Sequence, residues 1–532
     1  MSGSTHPSGQ AFVLGLDGVP WRLIEQWSDE GKLPNFAKLR EDGASGTLES
    51  TRPPTTPLAW PSIATGVWAD KHGVYGFQNL SSEYSHEMYT SHDIKQPTLW
   101  ELLSPAHVGN VPMTYPARDP EDGGSMVTGM MTPSTDQQFA APTDLQSEIE
   151  SQIPDYEISL DYPEYADRLD DFEVAVDDML ATRRELMDLQ MDRAGDDWRL
   201  FFFVYTAPDR FQHLIWDMDR ILAHYQKLDE ILGEVLEYTD RHEADLYVVS
   251  DHGFGPIHEL VYVNHILERE GYLVRREDEG TRGALASLGI SRDRITDLLG
   301  KVGISEELLV STLPRKLVDS VAEQIPGDHA LYDVNYEETT AFVHGAGNCY
   351  INDSERFVNG IVSPSEVPRV KSELVDLFES ITDEDGEPVL RVDDGDELFP
   401  TDPNSPDLVV NGVDGYDCRN AITDQPFGDT GTYAASHRNE GIILCRGPSI
   451  EPGATLRGAR VVDVAPTLLH GIGEPVPQNV DGRVLFDAFD ASATPSKTKV
   501  ERTSVDQPQT ADSVDEDFTD VEDRLKGLGY ME

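Results

Sequence analysis

The order of apolar and polar positions along the chain marks three strands that end in the same way. AFVLGL, Ala11 to Leu16, is an unbroken apolar run followed by Asp17 and Gly18. LFFFVY, Leu200 to Tyr205, precedes Asp209, and Leu246 to Ser250 leads into Asp251 and His252. Short apolar runs bounded by polar residues, Gly or Pro read as strands buried on both faces, as in parallel sheets. Such strands carry ligand-binding residues just beyond their carboxyl ends, so the three segments can converge on one rim of one sheet. A helical pattern, PWRLIEQW, follows the first run, and this alternation predicts an α/β fold with helices on both sheet faces.

Elsewhere the rhythm changes. Residues 81–197 are irregular, with only Tyr165 to Gln190 clearly helical, and are expected as a loop-rich insertion. Residues 276–339 are helical in pattern and locally more basic, which predicts a helical cap insertion. Strand signals return in TAFVHGAGNCYIN, PDLVVNG and GIILCRG, so the core is discontinuous, 10–275 and 340–490. Residues 491–532 are rich in Ser, Thr, Pro and acid, the composition of a disordered acidic tail. Its end, VEDRLKGLGYME, has the pattern of a short amphipathic helix that either docks back or stays solvated.

Charge narrows the partners. With 98 acidic against 41 basic residues among 532, the formal net charge is −57, which repels nucleic acid and anionic membranes. The acidity is spread along the whole chain, as expected of a halophilic surface that works where salt screens self-repulsion. Cys349, Cys418 and Cys445 lack Cys-x-x-Cys spacing, so neither a disulfide framework nor a thiolate metal site is expected. No signal-type leader precedes the first strand, and no run approaches the ~18 apolar residues of a membrane span. A cytoplasmic location is expected.

Seven residues carry the candidate chemistry: Asp17, Thr56, Asp209, His213, Asp251, His252 and His437. Mixed carboxylate and imidazole donors suit zinc, and also manganese or another divalent ion. Asp209 and His213, at i and i+4, share one face if a helix follows the strand. Two cations ~3.5–4 Å apart clamp the entering and leaving oxygens of an in-line displacement. Thr56 precedes Pro57 and the helix-compatible LAWPSIATG, so it is expected as the N-cap, where a bound phosphate meets free N–H groups. Singly, each residue has a plain alternative as a cap, turn or core group; their ordered occurrence at strand ends favours the site. His72 is expected to support a ligand from behind, whereas His224, His242, His258, His265 and His470 read as surface or satisfied core groups.

The segments GLDGVPW, PPTTPLAWPSIATGVWADKHGVYGF, YTAPDRFQH, SDHGFGP and SHRNEGIILCRGP together resemble the alkaline phosphatase superfamily, most closely its type I phosphodiesterase and nucleotide pyrophosphatase branch. The resemblance implies a three-layer α/β/α sandwich with a central, mostly parallel sheet. It also implies two divalent metal ions, usually Zn²⁺. Asp209, His213 and His437 would hold one, and Asp17, Asp251 and His252 the other, which activates Thr56 as nucleophile; Thr55 is its local competitor. The implied activity is hydrolysis of small phosphodiesters or phosphoanhydrides through a phosphothreonine. Phosphomonoesterase, phosphonate hydrolase and phosphotransferase activities share the framework, and a metal-binding pseudoenzyme is the non-enzymatic alternative. Ala59 departs from the branch, which places a phosphate-contacting Asn there, and the signature that sulfatases convert to formylglycine is missing.

Overall fold

A computed structural model describes residues 9–118, 120–160, 162–165, 168–276, 334–508 and 517–530. Its centre is a nine-stranded sheet. From one edge the strands run Ala459–Arg460, Ala44–Glu49, Glu440–Arg446, Asp245–Val249, Ala11–Leu16, Leu200–Tyr205, Ala106–Val111, Ser125–Thr128 and Ala140–Ala141. Pairing is mostly parallel; the Glu440–Arg446 strand is antiparallel to both neighbours, and Ala140–Ala141 is antiparallel at the far edge.

Side-chain alternation builds a core on each face. Phe12, Leu14, Phe201, Phe203 and Tyr205 point to one side, where helices Trp21–Asp29, Pro34–Asp42, Leu169–Ala194 and Met218–His242 cover them. Val13, Leu200, Phe202 and Val204 point to the other, under helices Thr56–Thr65 and Val464–Gly471. The protein is thus a three-layer α/β/α sandwich. The central register pairs Leu16 with Tyr205 and Gly15 with Val249. The chain therefore leaves all three strands at one level, with Asp17, Thr206 and Ser250 as the next residues.

A second, antiparallel sheet stands beside this sandwich: Ala341–His344, Asn348–Ile351, Leu408–Gly412 and Leu390–Asp394, backed by helix Val367–Glu379. The strand signals expected to rejoin the core at 340–412 belong to this satellite, and among the described residues beyond 340 only 440–446 and 459–460 return to the central sheet. The expected insertion at 81–197 is likewise not separate. It supplies three sheet strands and the 26-residue helix Leu169–Ala194. Its strand AHVGNV escapes an apolar-run reading because His107 is buried by bonding Ser125 Oγ at 2.8 Å through Nδ1. The proposed helical cap lies, at residues 277–333, outside the described residues.

The expected disordered tail also differs from the structure. Arg502–Thr503 pairs with Val476–Pro477, and Thr519–Gly527 is a helix with Val521 and Leu525 buried. Their i, i+4 spacing, with Leu528 three further on, gives an otherwise charged segment one apolar stripe to dock. Among the described residues no helix is long and apolar enough to cross a membrane.

Candidate active site

The sheet rim brings the seven sequence-selected residues together. Asp17 follows its strand directly. Asp209 sits in the first turn of helix Ala207–Leu214 and His213 one turn on. Asp251 and His252 follow the Asp245–Val249 strand, and His437 lies on Ala435–Arg438, paired with Phe254 of the strand that begins just after His252. All but His437, which stays partly open, are buried.

Thr56 opens the helix Thr56–Thr65, but the N-cap position falls to Thr55, one residue earlier than expected. Thr55 Oγ1 makes no capping bond and has no hydrogen-bond partner. The N–H groups of Leu58 and Ala59 both donate to the Thr55 carbonyl, at 3.1 and 3.0 Å, and Pro57 has no N–H. The helix start therefore offers a phosphate fewer donors than the sequence suggested. The Thr56 hydroxyl lies 3.3 Å from His252 Nε2 and 3.5 Å from Asp17 Oδ1.

Hydrogen bonds made behind the site fix which imidazole nitrogens face it. His252 Nδ1 lies 3.1 Å from the Gly253 carbonyl and His437 Nδ1 3.0 Å from that of Pro54. A carbonyl can only accept, so each Nδ1 carries a proton and, in the neutral imidazole, each Nε2 presents a lone pair forward. His437 Nε2 then faces His213 Nε2 at 3.2 Å and Asp209 Oδ1 at 3.3 Å. His252 Nε2 faces Asp251 Oδ2 at 3.2 Å and Asp17 Oδ1 at 3.6 Å. Asp209 Oδ1 and Asp251 Oδ2 are buried and have no hydrogen-bond partner. Lone pairs aimed at one another across such distances repel unless a cation lies between them.

The titration behaviour agrees with this. Burial raises the Asp17 carboxyl well above the ordinary range, and the charges of Asp251 and Asp209 add to it. Burial and Asp209 push Asp251 up to about 7. Burial acts the same way on Asp209, yet His213 and His437 outweigh it and hold that carboxyl well below its ordinary value. Burial lowers His213 and, helped by His437, His252. Neutral imidazoles beside crowded carboxylates make a donor set for divalent cations. Among the described residues two groups have donor atoms within 4.8 Å of one another: Asp209, His213 and His437, and Asp17, Asp209 and His252. Asp209 takes part in both, whereas Asp251, expected among the second set, stands at its edge.

Several supporting residues carried no signal in the sequence. Trp60 Nε1 donates to Asp17 Oδ2 at 3.0 Å. Its indole reaches Asp17 by lying on the sheet over Gly15, where a Cβ would come within 2.4 Å of the ring. Gly18 N–H donates to Asp251 Oδ1 at 3.2 Å, and Gln212 Nε2 to the Gly18 carbonyl at 2.9 Å. Tyr530 donates to Asp209 Oδ2 at 2.5 Å. His72 does not touch a ligand: Val74 N–H occupies its Nδ1, so Nε2 faces Ser62 of the Thr56 helix at 3.0 Å. Thr55, His213, His437 and Tyr530 open onto a cleft of about 1210 Å³ whose walls also carry Arg22, Arg391, Arg419 and Arg438.

The sandwich, with carboxylates and imidazoles gathered around a hydroxyl on its strand-end rim, defines an alkaline-phosphatase-like hydrolase of phosphoric esters. A family profile described as type I phosphodiesterase / nucleotide pyrophosphatase matches residues 11–437, and the chain belongs to that family, whose members depend on divalent metal ions. No curated protein matches the chain significantly in sequence. Among solved structures, murine ectonucleotide pyrophosphatase / phosphodiesterase 5 is similar, both alone and as an inactive variant in complex with AMP. Identity is 12%, with a TM-score of 0.49 over 89% of this chain and 97% of that one. The human counterpart matches at 11% identity with the same score and coverage.

Proposed function

We propose that the protein is a two-metal hydrolase of phosphodiester or phosphoanhydride bonds that works through a phosphothreonine at Thr56. One observation carries the reading: imidazole Nε2 atoms and carboxylate oxygens face one another within 3.2–3.6 Å, with the Thr56 hydroxyl beside them. Asp209, His213 and His437 would hold one cation; Asp17, Asp251, His252 and the Thr56 hydroxyl would hold the second. The mixed N and O donors favour Zn²⁺, with Mn²⁺ as the alternative. When bound, such a pair stabilises charge on phosphoryl oxygens and lowers the pKa of a coordinated hydroxyl or water.

The chain's own groups then divide the work. Thr56 Oγ1 attacks phosphorus, and the bond to the leaving-group oxygen breaks on the side of Asp209, His213 and His437. Water cleaves the phosphothreonine from that same side. Trp60 holds Asp17 from behind through its 3.0 Å bond, and the backbone carbonyls of Gly253 and Pro54 keep His252 and His437 in the tautomer that faces inward. The cleft arginines offer guanidinium donors to an anionic substrate, with Arg391, Arg419 and Arg438 held in place by Asp393, Asp417 and Asp414. A cleft this wide favours substituents on both sides of phosphorus. Ala59 gives the phosphoryl group a methyl neighbour, so substrate recognition falls to the cleft walls.

The test is turnover of bis-para-nitrophenyl phosphate, para-nitrophenyl phosphate and phenylphosphonate esters by Zn²⁺- or Mn²⁺-reconstituted protein. Molar KCl is the chosen medium because the net charge of −57 calls for screening. The diester should be cleaved fastest. Thr56→Ala should lose turnover by at least about 10³-fold while keeping its metal. Wild-type rates in that variant would remove Thr56 as the nucleophile.

A further inference from the structure

We propose that the carboxyl-terminal strap, residues 518–530, is a built part of the active site and that Tyr530 is a positioning residue for Asp209. The inference rests on the two-metal reading above. The Tyr530 hydroxyl has one proton, and it goes to Asp209 Oδ2 at 2.5 Å. Oδ1 is thereby left to face His213 and His437, at 3.5 and 3.3 Å. A carboxylate held by one oxygen from outside presents the other to a cation in a fixed direction. The Tyr530 ring also meets His213 edge-on at 5.1 Å and His437 at 5.4 Å.

The strap is anchored far more firmly than a chain end lying by chance in a cleft. Val521 and Leu525 are buried with Val74, Phe77, Met113 and Met131. Arg524 donates to the Thr132 carbonyl at 2.7 Å and Tyr433 to that of Lys526 at 3.1 Å. Arg419 donates to the Gly529 carbonyl. Gly529 adopts φ +78, and a Cβ there would come within 2.9 Å of both Arg419 Nη1 and Tyr433 Cζ. Only glycine lets the chain turn there and deliver Tyr530 to Asp209. A strap acting as an inhibitory plug would cover the cation-facing oxygen; this one takes the opposite oxygen.

The decisive comparison is Zn²⁺ titration, by competition with a chromophoric chelator, of the full chain and Tyr530→Phe, with circular dichroism and metal-free melting as controls. Phenylalanine keeps the ring packing and removes only the hydroxyl. The account expects about tenfold or greater weakening of Zn²⁺ binding, with fold and metal-free melting unchanged. Gly529→Ala, which dislodges the strap while keeping the tyrosine, should weaken binding at least as much. Wild-type affinity in Tyr530→Phe overturns the inference, as does faster turnover in Gly529→Ala, which would identify a plug. Failure of the folded wild-type chain to bind Zn²⁺ or Mn²⁺ would instead defeat the two-metal reading itself.

Discussion

The two sides of the proposed catalytic centre are made from different kinds of structure. Asp17, Asp251 and His252 sit at the ends of two adjacent parallel strands, Ala11–Leu16 and Asp245–Val249, whose residues are buried throughout. Asp209, His213 and His437 come from a helix turn and a short strand outside the main sheet, and a strap from the far end of the chain completes them. The first side is fixed by sheet register, which cannot shift without turning every side chain to the other face. The second is assembled from pieces distant in sequence, so its geometry depends on tertiary docking.

That contrast can be broken or sharpened by experiment. His437→Ala removes a donor from the assembled side and should release one bound cation, with a loss of activity beyond the ~100-fold upper range for outer partners of metal ligands. Metal analysis and diester turnover read both. If metal content stayed at the wild-type level, His437 would not be a ligand.

Two buried leucines compare the frameworks. Leu14→Ala, in the sheet, should lower global stability by about 2–5 kcal/mol. Leu525→Ala, in the strap, should chiefly speed hydrogen exchange of Thr519–Gly527, since a short docked segment opens locally at lower cost than the sheet. Equal effects on global denaturation would show the strap to be as integral as the sheet.

A fourth substitution probes the sheet at the end away from the proposed catalytic centre. Burial raises the Asp245 carboxyl from 3.8 to about 6, against the lowering effect of bonds from Ser449. A carboxyl raised in the fold contributes its full stability below the unfolded value and loses that contribution as pH climbs through the folded one. Stability should therefore fall by about 3 kcal/mol between roughly pH 4 and pH 6. Denaturant midpoints of Asp245→Asn should show little of this fall, and an identical pH profile in the variant would refute the assignment.

The same contrast explains what the sequence made legible. The strands before Asp17, Asp209 and Asp251 are nearly pure apolar runs, and chemistry at their carboxyl ends follows from how parallel sheets are built. Asp17, Asp209, His213, Asp251 and His252 stood out for that reason, whereas Thr56 stood out as a hydroxyl at a helix start and His437 as an imidazole in the resembling SHRNEG segment. The Ala106–Val111 strand did not, because His107 and Asn110 break its apolar pattern and its polar partners are brought up only by folding. The satellite strands gave strand signals, yet nothing local tells which sheet a strand joins. Trp60 is one apolar residue of the helix-compatible LAWPSIATG, and its indole N–H finds Asp17 only because Gly15 lets the ring lie flat. Tyr530 was hidden in a charged segment where three apolar residues, Val521, Leu525 and Leu528, decide the docking.

The central claim, a phosphoryl group carried by Thr56, is tested most directly by acid quenching of metal-loaded protein during diester turnover, followed by peptide mass spectrometry. The account predicts phosphate on Thr56, and no phosphorylated peptide from Thr56→Ala. Active enzyme that never carries phosphate on Thr56, together with undiminished turnover in the alanine variant, would contradict it.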